Sequence, residues 1–234
     1  MHRILLLAVL LFAGGAASAQ SGLGQLKSVL GGSQISSGEA GSGLKEALSV
    51  GVSKGSDLVS QVDGFYKNDA IRIPFPPEAR NVEQKLRRIG MGAEVDKFVL
   101  SLNRAAEEAS KEAKPIFLSA VREMNIQDAV SILRGPDDAA TQYLSRATSA
   151  QLKDKFKPII QRTLDMTNAS GLYTKLIDAY NKIPFIQKMN PSLDEYATGK
   201  TVEGLFIVIA GEEKNIRSNP AARTSELLKK VFQK

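Results

Sequence analysis

Apolar residues return every three or four positions through most of this chain. That period predicts a succession of amphipathic helices whose charged faces turn away from a shared core. Leu44, Leu48, Val52, Val59 and Val62 open the series. Gly51 and Gly55, four apart on the same predicted helix, lower its propensity but let a neighbouring backbone approach, so close helix packing is expected there. The pattern breaks at Asp63-Gly64-Phe65-Tyr66, and Pro74, Pro76 and Pro77 then favour an extended path through Ile73 and Phe75. A helix restarts at Pro77 with Val82, Leu86 and Ile89 as its stripe, and Gly90 and Gly92 mark its end. Val95, Phe98, Val99, Leu102, Ala105, Ala106 and Ala109 form the next face. Phe117, Ala120, Val121 and Met124 follow Lys114-Pro115.

Boundary signals divide the second half. Asn125, with Asp128 in the first turn, predicts an N-cap, and Gly135-Pro136 ends that helix after Val130 and Leu133. Asp137 and Asp138 open the next, which carries Tyr143, Leu144 and Ala147; Ser149 is expected to cap a further one with Leu152, Phe156, Ile159, Ile160 and Leu164. Gly171 precedes Leu172, Leu176, Ile177 and Tyr180, and Pro184 stops that stripe. Ser192 with Glu195 reads as a capping box and Asn219-Pro220 as another helix start. Between them, Gly204 to Gly211 has the β-branched content of a buried strand. No other segment alternates, and a lone strand lacks a partner, so this run is predicted to be a central helix, apolar all round because it is buried. Leu227, Leu228, Val231 and Phe232 form the last stripe. The predicted fold is all-α, a single compact multi-helix bundle of about eight to ten helices over residues 44–234.

The N-terminus reads differently. Arg3, the apolar run Ile4 to Ala13 and the small residues leading to Ala17-Ser18-Ala19 predict a signal peptide at residues 1–19, cleaved after Ala19. Residues 20–43, rich in Gly and Ser, are expected to be a flexible lead-in. Taking nineteen residues from 234 leaves 215, enough for one domain. Leu205 to Ala210 is far too short for a transmembrane segment, so the mature chain is expected to be soluble. Without Cys there is no lipid attachment point, and a Gram-negative source would place the protein free in the periplasm.

Charge adds little. The net +6 becomes +5 once Arg3 is lost, a weak preference for anionic surfaces. Glu107 and Glu108 with Lys111, and Glu212 and Glu213 with Lys214 and Arg217, are expected to be solvated helix faces. Export and the absence of a zinc-finger or RNA-binding signature argue against nucleic acid.

Candidate chemistry is narrow because the one histidine, His2, lies in the leader and there is no Cys. The mature chain cannot build a Ser-His-Asp triad, a thiol nucleophile, a cysteine zinc site or a His-ligated haem. No cofactor and no metal are expected. Asp137 and Asp138 could hold a Ca²⁺ ion or form an acid/base pair, but adjacent carboxylates at a helix start more often serve the helix dipole. Glu107, Glu108 and Glu112 lack the His that a di-metal pattern needs. Lys153, Lys155 and Lys157 around Phe156, together with Arg87-Arg88 and Lys229-Lys230, read as ordinary amphipathic faces before polyanion sites. The tripeptide Ile-Pro-Phe occurs at Ile73 to Phe75 and Ile183 to Phe185, each shortly after a tyrosine, Tyr66 and Tyr180. Phe75 and Phe185 either line a groove or plug the ends of the bundle. Phe75, Phe185, Tyr66, Tyr180, Asp137 and Asp138 are therefore the candidate ligand- or partner-binding residues.

Four segments carry a resemblance: Gly43 to Leu48, Asp63 to Asn68 leading to Ile73-Pro74-Phe75-Pro76, Gly135 to Thr141, and Asn219 to Thr224. The chain resembles an exported bacterial family known as a domain of unknown function, from Gly43 to the C-terminus. The resemblance implies an all-helical domain outside the cytoplasm and brings no activity, ligand or catalytic residue. The expected function is that of a non-enzymatic soluble periplasmic protein. It would bind a lipid or other apolar or amphipathic ligand, or a protein partner of the cell envelope. A carboxylate-based cell-wall hydrolase and a purely structural envelope role are the alternatives.

Overall fold

The periodic stripes form helices in a computed structural model. It describes residues 36–182, 184–185, 188–190 and 192–232, apart from the side chains of Leu176, Ala179 and Tyr180. Nine α-helices are present among the described residues, and no strand. They are α1 (Ser37–Val59), α2 (Arg80–Arg88), α3 (Gly92–Ser110), α4 (Ala113–Glu123), α5 (Ile126–Arg134), α6 (Ala139–Met166), α7 (Ala169–Asn181), α8 (Leu193–Ser218) and α9 (Glu226–Val231). Short 3-10 turns at Pro77–Ala79 and Pro220–Ala222 lead into α2 and α9. No helix among the described residues is long and apolar enough to cross a membrane. The predicted leader and residues 20–35 lie outside the described residues.

Two long helices organise the bundle. α8 packs against α1, α3, α6 and α7, while α1 also meets α4, α5 and α9. The segment that resembled a strand is the middle of α8, with Val202, Gly204, Leu205 and Ile209 buried and Ile207 outward. Gly51 and Gly55 sit where α1 meets α8: a Cβ on Gly55 would lie 3.3 Å from Ile209 Cγ1, and one on Gly51 3.4 Å from Ile216 Cδ1. The space between these helices, lined by Leu44, Leu48, Val52, Ile209 and Ile216, measures about 20 Å³, room for no more than one water. Phe65, Phe117, Phe156, Leu102, Leu144 and Leu152 are among the large side chains fully buried in the same core.

Some helix ends differ from expectation, each for a local reason: Asn219-Pro220 opens only the 3-10 turn, and α9 starts after Ser225, whose hydroxyl accepts the Leu228 N–H at 3.1 Å. α1 begins at Ser37, so the last seven residues of the expected lead-in are helical. A capping box starts it: Glu39 N–H donates to Ser36 Oγ at 3.1 Å, and Ser36 N–H donates to the Glu39 carboxylate at 3.0 Å. Gly41 and Gly43, which hid the period, are buried beneath Ile126 and Ala129 of α5 and Leu227 and Val231 of α9. Ser149 caps nothing. Its hydroxyl donates to the Ser145 carbonyl at 2.6 Å, as Thr148 does to Leu144 at 2.7 Å, and α6 runs through as one helix of 28 residues. Ser192 is the N-cap of α8 as expected, but the capping box is not formed; its hydroxyl donates to Asp194 at 2.9 Å.

Candidate functional site

The loop between α1 and α2 is held from below by two side chains one turn apart on α3. Asn103 is fully buried; its amide donates to the Ile73 carbonyl at 2.8 Å, and its oxygen accepts the Ile73 N–H at 2.8 Å. Glu107, 3% exposed, accepts the N–H groups of Phe65 at 3.1 Å and Tyr66 at 3.2 Å. Its other oxygen takes Arg104 at 2.6 Å, and Arg104 reaches on to Asp63 at 2.7 Å. Lys67 hydrogen-bonds the same Asp63, and with Arg104 it holds that carboxyl below the usual range. The Tyr66 ring lies under Arg72, 4.7 Å from its centroid, and 5.7 Å from Arg104. Both oxygens of Glu107 and of Asp63 and the amide of Asn103 are thus bound to partners inside the fold.

The proline stretch continues the same logic. Phe75 is buried, with its ring centroid 4.8 Å from Phe98 and 6.4 Å from Tyr173. The Tyr196 hydroxyl donates to the Pro74 carbonyl at 3.1 Å. Burial pushes the Tyr173 phenol up to about 12 and raises Tyr196 as well, so both stay protonated near neutral pH. Phe75 is a plug in the core.

A second polar clamp joins α5, α6 and α8. α6 starts after Asp138, whose carboxylate makes no capping bond and instead accepts from Gln142 at 3.0 Å. The cap comes from Glu213 on α8, which accepts the N–H groups of Ala140 at 3.0 Å and Thr141 at 2.8 Å and the Thr141 hydroxyl at 2.8 Å. Arg217, one turn on, donates to Glu213 at 2.8 Å and to the Ile132 carbonyl at the end of α5 at 2.9 Å. A negative charge meets a helix N-terminus and a positive charge meets a C-terminus, each where the helix dipole favours it. The expectation that Glu107, Glu213 and Arg217 are solvated is therefore corrected: of the paired acids, Glu108 is exposed and bound to Lys111, while Glu212 is half-buried and bound to Lys54. Adjacent helical residues point about 100° apart, so one of each pair turns inward.

The candidate residues whose side chains are described lie in different surroundings. Phe75 is in the core and Tyr66 beneath two arginines, while Asp137 and Asp138 are exposed at the start of α6. Phe185 is fully exposed at φ +64°, so the second Ile-Pro-Phe does not plug the bundle as the first does. Ile183 and the Tyr180 side chain lie outside the described residues. No cluster of three potential metal-binding side chains occurs among the described residues.

A family model described as protein of unknown function (DUF4197) matches residues 34–233. The chain belongs to this family. No curated protein and no solved structure matches it. The DUF4197 match takes in the Ser36 cap of α1 and both polar clamps.

An open groove of about 1170 Å³ runs beside the start of α1 and along α5. Met124, Ile126 and Val130 supply its apolar surface, and Ser37, Asn125, Gln127, Ser131 and Arg134 its polar walls. Ile126, half exposed, is the first residue of α5 because Asn125 caps that helix, accepting the Asp128 N–H at 2.7 Å. The Asn125 cap is legible in the sequence and the groove is not, since its walls come from separate elements.

Proposed function

We propose that the protein is a non-enzymatic, soluble periplasmic protein, exported by a leader cleaved after Ala19, that binds an envelope protein partner in the groove along α5. The observation that carries this reading is the groove itself, with exposed Ile126 above buried Met124 in a fold whose central helices leave only about 20 Å³ between them. An enclosed apolar ligand would need a pocket of roughly 300 Å³ or more. The open walls suit an amphipathic protein segment, which keeps its polar side in water, better than an acyl chain, which would stay half wet. Against a carboxylate hydrolase stands the use of the buried carboxylates: Glu107 and Glu213 each already accept two backbone N–H groups and a guanidinium.

A photo-crosslinking residue placed at Ile126 is expected to give one discrete protein adduct in cells. The adduct should disappear in the Val130→Asp background and be absent with the probe at exposed Leu172 on α7. No adduct at position 126, or the same adduct from position 172, would contradict the proposal.

A further inference from the structure

The helix α2 has no buried residue, which sets it apart as an arm on the bundle. Val82, Glu83 and Leu86 are half-buried on one side, and Arg80, Asn81, Gln84, Lys85 and Arg88 form the opposite, exposed side. That exposed side contains three cations and no acid. Arg87 makes the ion pairs of this helix, to Glu83 at 3.0 Å and to Asp96 of α3 at 2.9 Å, and thereby pins the arm while neutralising both acids. From Arg80 to Asp96 the described ion pairs leave Arg80, Lys85 and Arg88 unpaired against one unpaired carboxylate, Glu94.

The arm ends in an apolar tip. Gly90, at φ +89°, closes a Schellman turn in which Met91 N–H donates to the Leu86 carbonyl at 2.9 Å and Gly90 N–H to Arg87 at 3.2 Å. The turn sets Ile89, 71% exposed, and Met91, 40% exposed, at the point where α2 meets α3. Cations alone would suit any polyanion. Cations beside two exposed apolar side chains match a layered surface, with phosphates outside and hydrocarbon a few ångströms beneath.

We infer that this arm docks on an anionic phospholipid bilayer, with Arg80, Lys85 and Arg88 on the phosphates and Ile89 and Met91 in the interface. The inference concerns a different face from the groove along α5 and stands without it.

The chain has no Trp, so Ile89→Trp in the otherwise unchanged mature protein places a single reporter at the tip. Its emission is expected to shift to the blue on vesicles of phosphatidylcholine with phosphatidylglycerol, not on phosphatidylcholine alone, and the shift should fade as salt rises. Each cation lost weakens binding to such a membrane about fivefold, so the combined Arg80→Gln, Lys85→Gln, Arg88→Gln variant should bind on the order of 100-fold more weakly. All three side chains are exposed, and circular dichroism checks that the fold is kept. An unshifted emission, or equal vesicle binding by the triple variant, overturns the inference. So does heparin binding without a blue shift on vesicles, which would make the arm a site for soluble polyanions.

Discussion

Glu213→Leu is expected to destabilise the protein by about 3–5 kcal/mol, a large part of the 5–15 kcal/mol that holds a typical domain together. The substitution strands Arg217, a guanidinium only 10% exposed, and leaves the N–H groups of Ala140 and Thr141 without their acceptor. Removing one member of a buried pair is costly because the other charge stays buried alone. Glu213→Leu combined with Arg217→Met should therefore be less damaging than Glu213→Leu by itself. Urea unfolding followed by circular dichroism measures both, and the midpoint should fall with the slope unchanged. A loss below about 1 kcal/mol for the single variant would place the Glu213 clamp among surface pairs of little weight.

Asn103→Leu should lose about 3 kcal/mol and act on one loop. Leu fills the volume of Asn but offers neither donor nor acceptor. The N–H and the carbonyl of Ile73 are then orphaned in the core, each at a penalty of about 1–3 kcal/mol. The extended stretch through Phe75 has no helical hydrogen bonds of its own, so its register depends on that amide. Native-state hydrogen exchange should show the Ile73 amide opening faster by orders of magnitude while amides in the middle of α8 keep their protection. Uniform loss across α8 would mean that the loop and the bundle open together.

Both clamps mark the limit of what the sequence discloses. The all-α architecture is legible because helical period runs through nearly every segment and nothing alternates. Even the β-rich Gly204 to Gly211 could be assigned to a helix, since a strand there would have no partner. The start of α1 was obscured by Gly38, Gly41 and Gly43, although Ser36 followed by Glu39 three residues later carried the capping signal. The expected cap at Ser149 is not formed because a serine inside a helix can bond its hydroxyl back one turn instead of starting a new helix.

The polar interior was the harder part. Glu213 falls four residues after Ile209 and three before Ile216, on the buried stripe, and that placement was readable. Its partners were not, because Ala140 and Thr141 lie more than seventy residues away. Glu107 is the same case, on the stripe of Asn103, Ala106 and Ser110, with its acceptor role fixed by Phe65 and Tyr66 some forty residues earlier. Phe75 and Phe185 share a tripeptide and differ in fate because Asn103, Phe98 and Tyr173 draw only the first into the core.

On the proposal made above, recognition happens on the outside of a filled helical body. Native mass spectrometry of the protein purified from its own cell envelope tests it in one spectrum. The expected result is a single species beginning at Gln20 that carries no small molecule. A stoichiometric ligand that stays bound in the gas phase would contradict the filled interior, and an intact leader would contradict export.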